Sequence, residues 1–301
     1  MTMSNDSQNS RRETPLQQSK KTTRRSRPRD PFRDFREDTE IVEEVERDGE
    51  KVRRKGVYLL PNLFTTGALF AGFFSVISGL NGDFSTAAIA IFVSMVLDGC
   101  DGRVARMTNT QSAFGAEYDS LADMLSFGVA PAVVAFSWSL QALGKFGWIC
   151  AFVFVAGAAL RLARFNVQIG SIDKKWFIGL PSPSAAAVVA SSVWSFHNFG
   201  IHSYAFDGLM AVIVAATGIL MVSNIRFYSF KEIDFRGPVP FVALLAIVMA
   251  FVVISLQPSV VLLLLFGGYS LSGPIVSVIR SLRLRSKKRK RRRRQAERRA
   301  N

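Results

Sequence analysis

From Tyr58 to Ser281 the chain runs through a succession of apolar stretches, each near the length of one bilayer crossing and separated by short polar turns. A crossing needs about 20 mostly apolar residues in helical form. Inside hydrocarbon the backbone must satisfy its own hydrogen bonds, which limits what such stretches can become. Eight spans are expected, at 58–80, 84–103, 120–140, 146–163, 181–194, 204–222, 240–256 and 260–281. The fifth is short and rich in Ala and Ser, the composition of a helix packed tightly against other helices rather than against lipid. The expected fold class is an all-α integral membrane protein of about eight transmembrane helices with disordered basic tails.

The distribution of charge supports that division. Of the 38 Lys and Arg residues, 15 lie in residues 1–56 and 13 lie from Arg280 onward, leaving ten across the apolar middle. The expected organisation is a basic tail over 1–56, a transmembrane catalytic domain over 57–281 and a polybasic tail over 282–301. Residues 1–38 are polar, basic and poor in large apolar side chains, as disordered arms are. They lack the short apolar run and small-residue cleavage site of a secretory signal. Residues 38–56 are expected to form a short amphipathic helix at the membrane surface. The final charge block follows an apolar helix, which points to a cytoplasmic margin and anionic lipid. Nucleic acid is not expected as a partner.

Once the spans are drawn, the loops carrying Arg103 and Arg106, residues 161–175 and residues 226–236 share one side with both tails. The loops on the other side hold only Lys145. The positive-inside rule then puts both termini in the cytoplasm, which requires an even number of spans and agrees with eight. Cys100 and Cys150 both lie in apolar segments, so they suggest packing rather than a disulfide framework or a zinc site.

The stretch LDGCDGRVARMTNTQSAFGAEYDSLADMLSFG, residues 97–128, breaks the apolar pattern with Asp98, Asp101, Asp119 and Asp123. Carboxylates at membrane depth are costly unless they face a polar cavity, a partner or a metal. Each pair, spaced three or four residues apart, shares one helix face. Gly102 and Gly115 between them permit close approach of backbone or ligand. Four close carboxylates repel one another unless a cation intervenes, and oxygen-only ligands suit Mg2+ or a similar hard ion. Two such ions fit attack at phosphorus, because they stabilise attacking and leaving oxygens together. Arg106 adds a forked cation for a phosphate oxygen. A surface carboxylate loop or an ion pathway explains the charges, but not these intervals.

The residues Asp98, Asp101-Gly102, Ala105-Arg106, Gly115, Asp119 and Asp123 match D-x2-D-G-x2-A-R-x8-G-x3-D-x3-D, eight fixed positions over 26 residues. This resembles the CDP-alcohol phosphotransferase family of membrane enzymes, which transfer a phosphatidyl or phospho-alcohol group from a CDP-linked donor to an alcohol and release CMP. The resemblance implies two divalent ions, Mg2+ or Mn2+, held by Asp98, Asp101, Asp119 and Asp123, with Asp123 also the general base. It implies that Gly102, Arg106, Ser112 and Gly115 contact the cytidine diphosphate portion. PNLFTT, residues 61–66, looks like the family's donor-binding element and points to Asn62 and Thr65. Helix capping after Pro61 is the other reading of Asn62.

The segments YLLPNLFTTGALFAGF, DSLADMLSFGVAPA, RLARFN, FIGLPSPSAAA and IRFYSFK resemble one branch of that family, the membrane-integral bacterial phosphatidylserine synthases. That resemblance implies CDP-diacylglycerol and L-serine as substrates, a homodimer, and a multi-pass enzyme of the bacterial inner membrane with its site at the cytoplasmic face. Arg161, Arg164 and Asn166 are candidates for the serine carboxylate or the phosphate, or else positive-inside anchors. Ser126, one turn beyond Asp123, is expected to face the same cavity. His197 and His202 fall in a loop expected on the opposite side and are set aside as nucleophiles. The rival readings are another acceptor such as glycerol phosphate, inositol phosphate or choline, a nonenzymatic membrane protein with binding tails, and an ion transporter.

Overall fold

The structure, a computed structural model, describes residues 42–47, 50–55, 59–108, 112–168, 176–201, 203–228, 245, 248–249, 252 and 254–300. Its main helices are α1 (Leu59–Leu80), α2 (Phe84–Met107), α3 (Ala113–Trp138), α4 (Lys145–Gln168), α5 (Ser182–Asn198), α6 (Tyr204–Val222) and α7 (Pro258–Ala300). Among the described residues, six helices are long and apolar enough to cross a membrane, namely all of these except α5. The expected span at 204–222 coincides with α6, and the expected fifth span is the 17-residue α5. Most of the expected span at 240–256 lies outside the described residues.

The third expected span begins earlier than residue 120, because the polar segment preceding it is also helical. Ser112 is its N-cap, accepting a hydrogen bond from the Gly115 amide at 2.9 Å. A Ser in extended backbone at that position satisfies one of the helix's unpaired first-turn amides. The helix then widens into π turns over Met124–Val129 before Pro131. Pro131 has no N–H to give to the preceding turn, and a π-bulge is one way a helix accommodates such a break.

Packing brings three helices to one carbonyl. Ala68 O on α1 accepts from Ser94 Oγ of α2 at 2.8 Å and from Ser126 Oγ of α3 at 3.1 Å. Opposite Ser126 stands Gly72, where an added Cβ would meet Ser126 Oγ at 2.4 Å. A similar small-residue contact joins α4 to α6: a Cβ on Gly157 would stand 2.4 Å from Gly218 O. In an apolar medium such close backbone contact is a main source of helix association. The core is completed by α5, whose Ala185, Ala186, Ala187, Val189, Ala190 and Val193 are all fully buried. The tight packing expected from its Ala- and Ser-rich sequence is therefore what the helix does.

Two expectations for the tails are corrected. Residues 38–56 contain no amphipathic helix among the described residues; β1 (Val42–Arg47) and β2 (Glu50–Lys55) form an antiparallel hairpin instead. The two residues between the strands are Asp48-Gly49, a strong hairpin-turn pair. The register sets Glu43 across from Arg54, Glu44 from Arg53 and Glu46 from Lys51. At the other end, the basic segment expected to be disordered continues α7 through Ala300. After Pro274 it has neither Gly nor Pro, and Lys and Arg are good helix formers.

A second small ribbon, β3 (Trp176–Ile178) with β4 (Arg226–Tyr228), ties the approach to α5 to the chain leaving α6. Phe227 of this ribbon is 1% exposed and packs under α7. There Gly273 leaves room for its ring, since a Cβ would stand 2.4 Å from Phe227 Cε1.

Candidate active site

The end of α2 and the beginning of α3 bring the carboxylates together. Oxygens of Asp98, Asp119 and Asp123 lie within 4.8 Å of one another. Asp98 comes from the next-to-last turns of α2, while Asp119 and Asp123 are successive residues on one face of α3. Asp101 is in interaction range of Asp119 and is held from the other side, accepting from Thr65 Oγ1 of α1 at 2.9 Å. Both partners are nearly excluded from solvent, with Thr65 at 3% and Asp101 at 6% exposure. A hydroxyl given to an ionised acceptor makes one of the stronger hydrogen bonds.

The donor set fits a divalent cation. It consists of carboxylate oxygens alone, the ligands that hard divalent ions take. Asp119 Oδ1 is buried and has no hydrogen-bond partner. An unpaired buried acceptor of this kind costs about 1–3 kcal/mol or more if nothing meets it, and a cation is the partner that also cures the repulsion between neighbouring carboxylates. Asp98, Asp119 and Asp123 are the residues placed to hold it, with Asp101 beside them.

The first turns of α1 form an adjoining wall. Gly115 sits where a Cβ would be 3.0 Å from Ser112 Oγ and 3.5 Å from Asn62 Oδ1, so these three residues meet at one point. Asn62 Nδ2 is buried without a hydrogen-bond partner, leaving a donor for an oxygen that the protein does not supply. Thr66 Oγ1 and Tyr118 Oη share a hydrogen bond of 2.9 Å, which fixes α1 against α3 at the same level. Beyond Asp101, Gly102 faces open space and Arg106 is exposed on the last turn of α2.

The serine candidates separate. Arg161 approaches the cluster, since Asp123 is one of its electrostatic partners, and its Nη1 donates to Ser182 Oγ at 2.6 Å. Asn166 exchanges hydrogen bonds with Ser120, one residue from Asp119, at 3.1 and 3.3 Å. Arg164 points elsewhere, to Asn224 Oδ1 at 3.5 Å on the exposed side. Ser126 does not face the cavity. It is 1% exposed and spends its hydroxyl on Ala68 O between α1 and α3, because the π turns beginning at Met124 rotate it off the face that carries Asp119 and Asp123. His197 stacks edge-on against Phe84 at 5.3 Å, at the end of α2 opposite the aspartates; His202 lies outside the described residues.

Three residues near the site escape sequence reasoning. Tyr118 falls between motif positions, Ser182 looks like one more small residue in PSPSAAA, and Tyr269 lies in the last apolar run. Only Ser182 carried a signal, a hydroxyl at the very start of an Ala- and Ser-rich helix.

Known proteins resemble this chain in sequence. A family model described as CDP-alcohol phosphatidyltransferase matches residues 58–223, which include α1 to α6 and every aspartate of the cluster. A Helicobacter pylori protein named CDP-diacylglycerol--serine O-phosphatidyltransferase is 37% identical over 219 residues, 73% of this chain and 91% of its own length. Bacillus subtilis and Methanocaldococcus jannaschii proteins of the same name are 33% identical over 173 residues and 36% identical over 153 residues. These alignments cover 58% and 51% of this chain, and 92% and 69% of the respective relatives. With more than half its length matched by the family and the family's aspartates gathered at one point, the chain belongs to the CDP-alcohol phosphatidyltransferases.

Proposed function

We propose that the protein transfers the phosphatidyl group of CDP-diacylglycerol to the hydroxyl of L-serine, forming phosphatidylserine and CMP. The observation that carries this reading is the convergence of Asp98, Asp119 and Asp123 within 4.8 Å, beside an unpaired Asn62 amide and a half-buried Arg161. The names of the relatives, at 32–37% identity, favour serine as the acceptor.

Asp98, Asp101, Asp119 and Asp123 would hold two divalent ions, Mg2+ or Mn2+, which supply charge neutralisation at the pyrophosphate. Asn62 offers its Nδ2 to a donor oxygen, and the open face at Gly102 lets the cytidine diphosphate approach the α2 backbone. Arg106 supplies a cation for a phosphate oxygen at the same end. Serine enters beside Arg161, whose remaining N–H donors suit its carboxylate. Asp123 accepts the hydroxyl proton as the serine oxygen bonds to phosphorus. The bond from that phosphorus to the bridging oxygen breaks, and CMP leaves with the electron pair. A positioned base contributes about 100- to 10,000-fold to such a step.

The cytoplasmic face of a bacterial inner membrane is the proposed setting. The helix ends that carry Asp98, Asp119 and Arg161 adjoin the loops rich in Arg and Lys, and the opposite loops hold Lys145 alone. Release of CMP from CDP-diacylglycerol by the purified protein, measured with serine, glycerol phosphate, inositol phosphate and choline, tests the reading. Serine is expected to be used best; a higher kcat/KM for any of the others overturns it.

A further inference from the structure

Asp119 leaves α3 between two residues that are each tied to a different helix. Successive residues of an α-helix point about 100° apart, so Tyr118 and Ser120 flank the Asp119 side chain on its two sides. Tyr118 Oη lies 2.9 Å from Thr66 Oγ1 of α1, and Ser120 Oγ lies 3.1 Å from Asn166 Nδ2 of α4. The two ties share one logic. Thr66 gives its single hydroxyl hydrogen to Asn62 O, one turn back, at 2.7 Å, so the Tyr118 phenol is the donor in its pair. Ser120 has Ala116 O at 3.0 Å as its closer acceptor, against 3.3 Å for Asn166 Oδ1, so it accepts from the Asn166 amide. In each case a hydroxyl anchored on its own helix presents a lone pair to a neighbouring one.

These ties belong to the frame that carries the carboxylates. Thr65, next to Thr66, donates to Asp101 Oδ2 at 2.9 Å, so adjacent residues of α1 hold Asp101 of α2 and Tyr118 of α3. The Tyr118 ring is further steadied by Phe114, with ring centroids 6.0 Å apart and planes 19° from parallel. Gripped on both sides, α3 cannot turn about its axis without straining one of the two hydrogen bonds. Asp119 is the residue that such a turn displaces most directly. A side-chain oxygen stands about 5–6 Å from the helix axis, so a rotation of about 10° carries it roughly 1 Å. Ions differ in how they take that movement. Mg2+ demands near-ideal octahedral geometry at about 2.0–2.1 Å, whereas Ca2+ accepts about 2.3–2.6 Å and irregular coordination. Asp119 Oδ1, buried and without a hydrogen-bond partner, has no contact of its own to hold it and takes its place from the helix.

We infer that the Thr66–Tyr118 and Ser120–Asn166 pairs position Asp119 for the divalent ion, and that their joint grip on α3 favours a small octahedral ion over a larger one. This rests on the metal reading of the aspartates above. Tyr118 and Asn166 are positioning residues: they act through the helix and touch neither ion nor substrate, which takes Asn166 out of the groups that receive the acceptor's carboxylate.

Mn2+ bound by the purified full-length protein, followed by electron paramagnetic resonance without substrate and displaced with Mg2+ or Ca2+, tests it. Tyr118→Phe keeps the ring and its stacking on Phe114 but removes one donor, and Asn166→Ala removes the other. Each is expected to weaken Mn2+ and Mg2+ binding roughly three- to tenfold, the effect of one net hydrogen bond. Asn166→Ala is expected to have the larger effect, because its pair is part-buried and the Tyr118 pair is exposed. Ca2+ binding is expected to change less than about twofold, given its looser geometry. Thr66→Val should match Tyr118→Phe, and Ser120→Ala should add nothing in the Asn166→Ala background, since contacts within one pair are not additive. The KM for serine at saturating ion is expected to stay unchanged in every variant. Unaltered Mn2+ affinity in either single variant, equal weakening for Mg2+ and Ca2+, or a raised serine KM in Asn166→Ala overturns the inference and leaves the ion site standing. Mn2+ binding that survives Asp119→Asn undiminished overturns the ion site itself, and this inference with it.

Discussion

Thr65 Oγ1 of α1 donates to Asp101 Oδ2 of α2 at 2.9 Å, across 36 residues of chain. The contact makes the first helix part of the acidic site although α1 contributes no carboxylate to it. Thr65→Val keeps the shape and removes the donor, leaving a buried carboxylate without its hydroxyl. A hydrogen bond to a charged group is worth about 1.5–3 kcal/mol, so kcat/KM is expected to fall roughly 10- to 100-fold. Thr65→Ser is expected to stay near the unaltered level. The divalent ion concentration giving half-maximal rate should rise in the Val variant, and an unmoved metal titration would show that Asp101 plays no part in ion binding.

Asp119 and Asp123 are one helical turn apart and share a face, yet their losses should read differently. Asp119→Asn removes charge from the carboxylate with the unpaired buried oxygen, so the requirement for divalent ion is expected to increase and added ion to restore part of the rate. Asp123→Asn removes the proposed base as well, with a loss of about 100- to 10,000-fold that excess ion does not recover. Chelation of the unaltered protein should abolish turnover, and Mg2+ or Mn2+ should restore it. Full activity of purified Asp123→Asn takes the role of base away from that residue.

Ser126 belongs to the helix interface. Its hydroxyl bonds to Ala68 O, which Ser94 also uses. Ser126→Ala is expected to cost about 1 kcal/mol of stability and to leave the KM for serine unchanged. Thermal melting in detergent together with a serine titration checks this, and a raised serine KM at unaltered stability would return Ser126 to the cavity.

The difference between Ser126 and its neighbours shows what the sequence made legible. The intervals that place Asp98, Asp119 and Asp123 on facing surfaces follow from regular α-helix, and at those positions the helices are regular. Ser126 obeys the same arithmetic on paper, but the π turns beginning at Met124 change the winding just before it. Local periodicity does not reveal such a bulge; Pro131 was its only written sign. Residues 38–56 failed for a related reason. Val and Glu at those spacings satisfy a loose helical stripe, while the Asp48-Gly49 pair favours a hairpin turn. Tyr269 was illegible on other grounds. Its neighbour in the fold, Phe227, is set by a tertiary contact to the β3–β4 ribbon, and no spacing within the last apolar run announces it.

Far from the carboxylates, Asp83 provides a pH-dependent check on the fold itself. It is the N-cap of α2, accepting from the Thr86 amide at 3.1 Å. The Thr86 hydrogen bonds, with a smaller contribution from the charge of His197, hold its carboxyl below the usual carboxylate range. A group whose pKa is lowered by folding stabilises the folded state above its unfolded value, near 3.9 for Asp, and loses that contribution as pH falls through the lowered value. Because Asp83 lies at the exposed surface, the charge part is screened and small; the cap itself is worth about 1 kcal/mol. Asp83→Ala is therefore expected to melt lower than the unaltered protein at pH 7, with the gap narrowing as the medium is brought toward pH 3. Asp83→Asn keeps an oxygen at the cap and should hold the melting temperature with a flatter acid dependence. Melting curves of the three proteins across that range decide it: a gap between Asp83 and Ala that stays constant to the acid end means that the ionised carboxylate contributes nothing to the capping of α2.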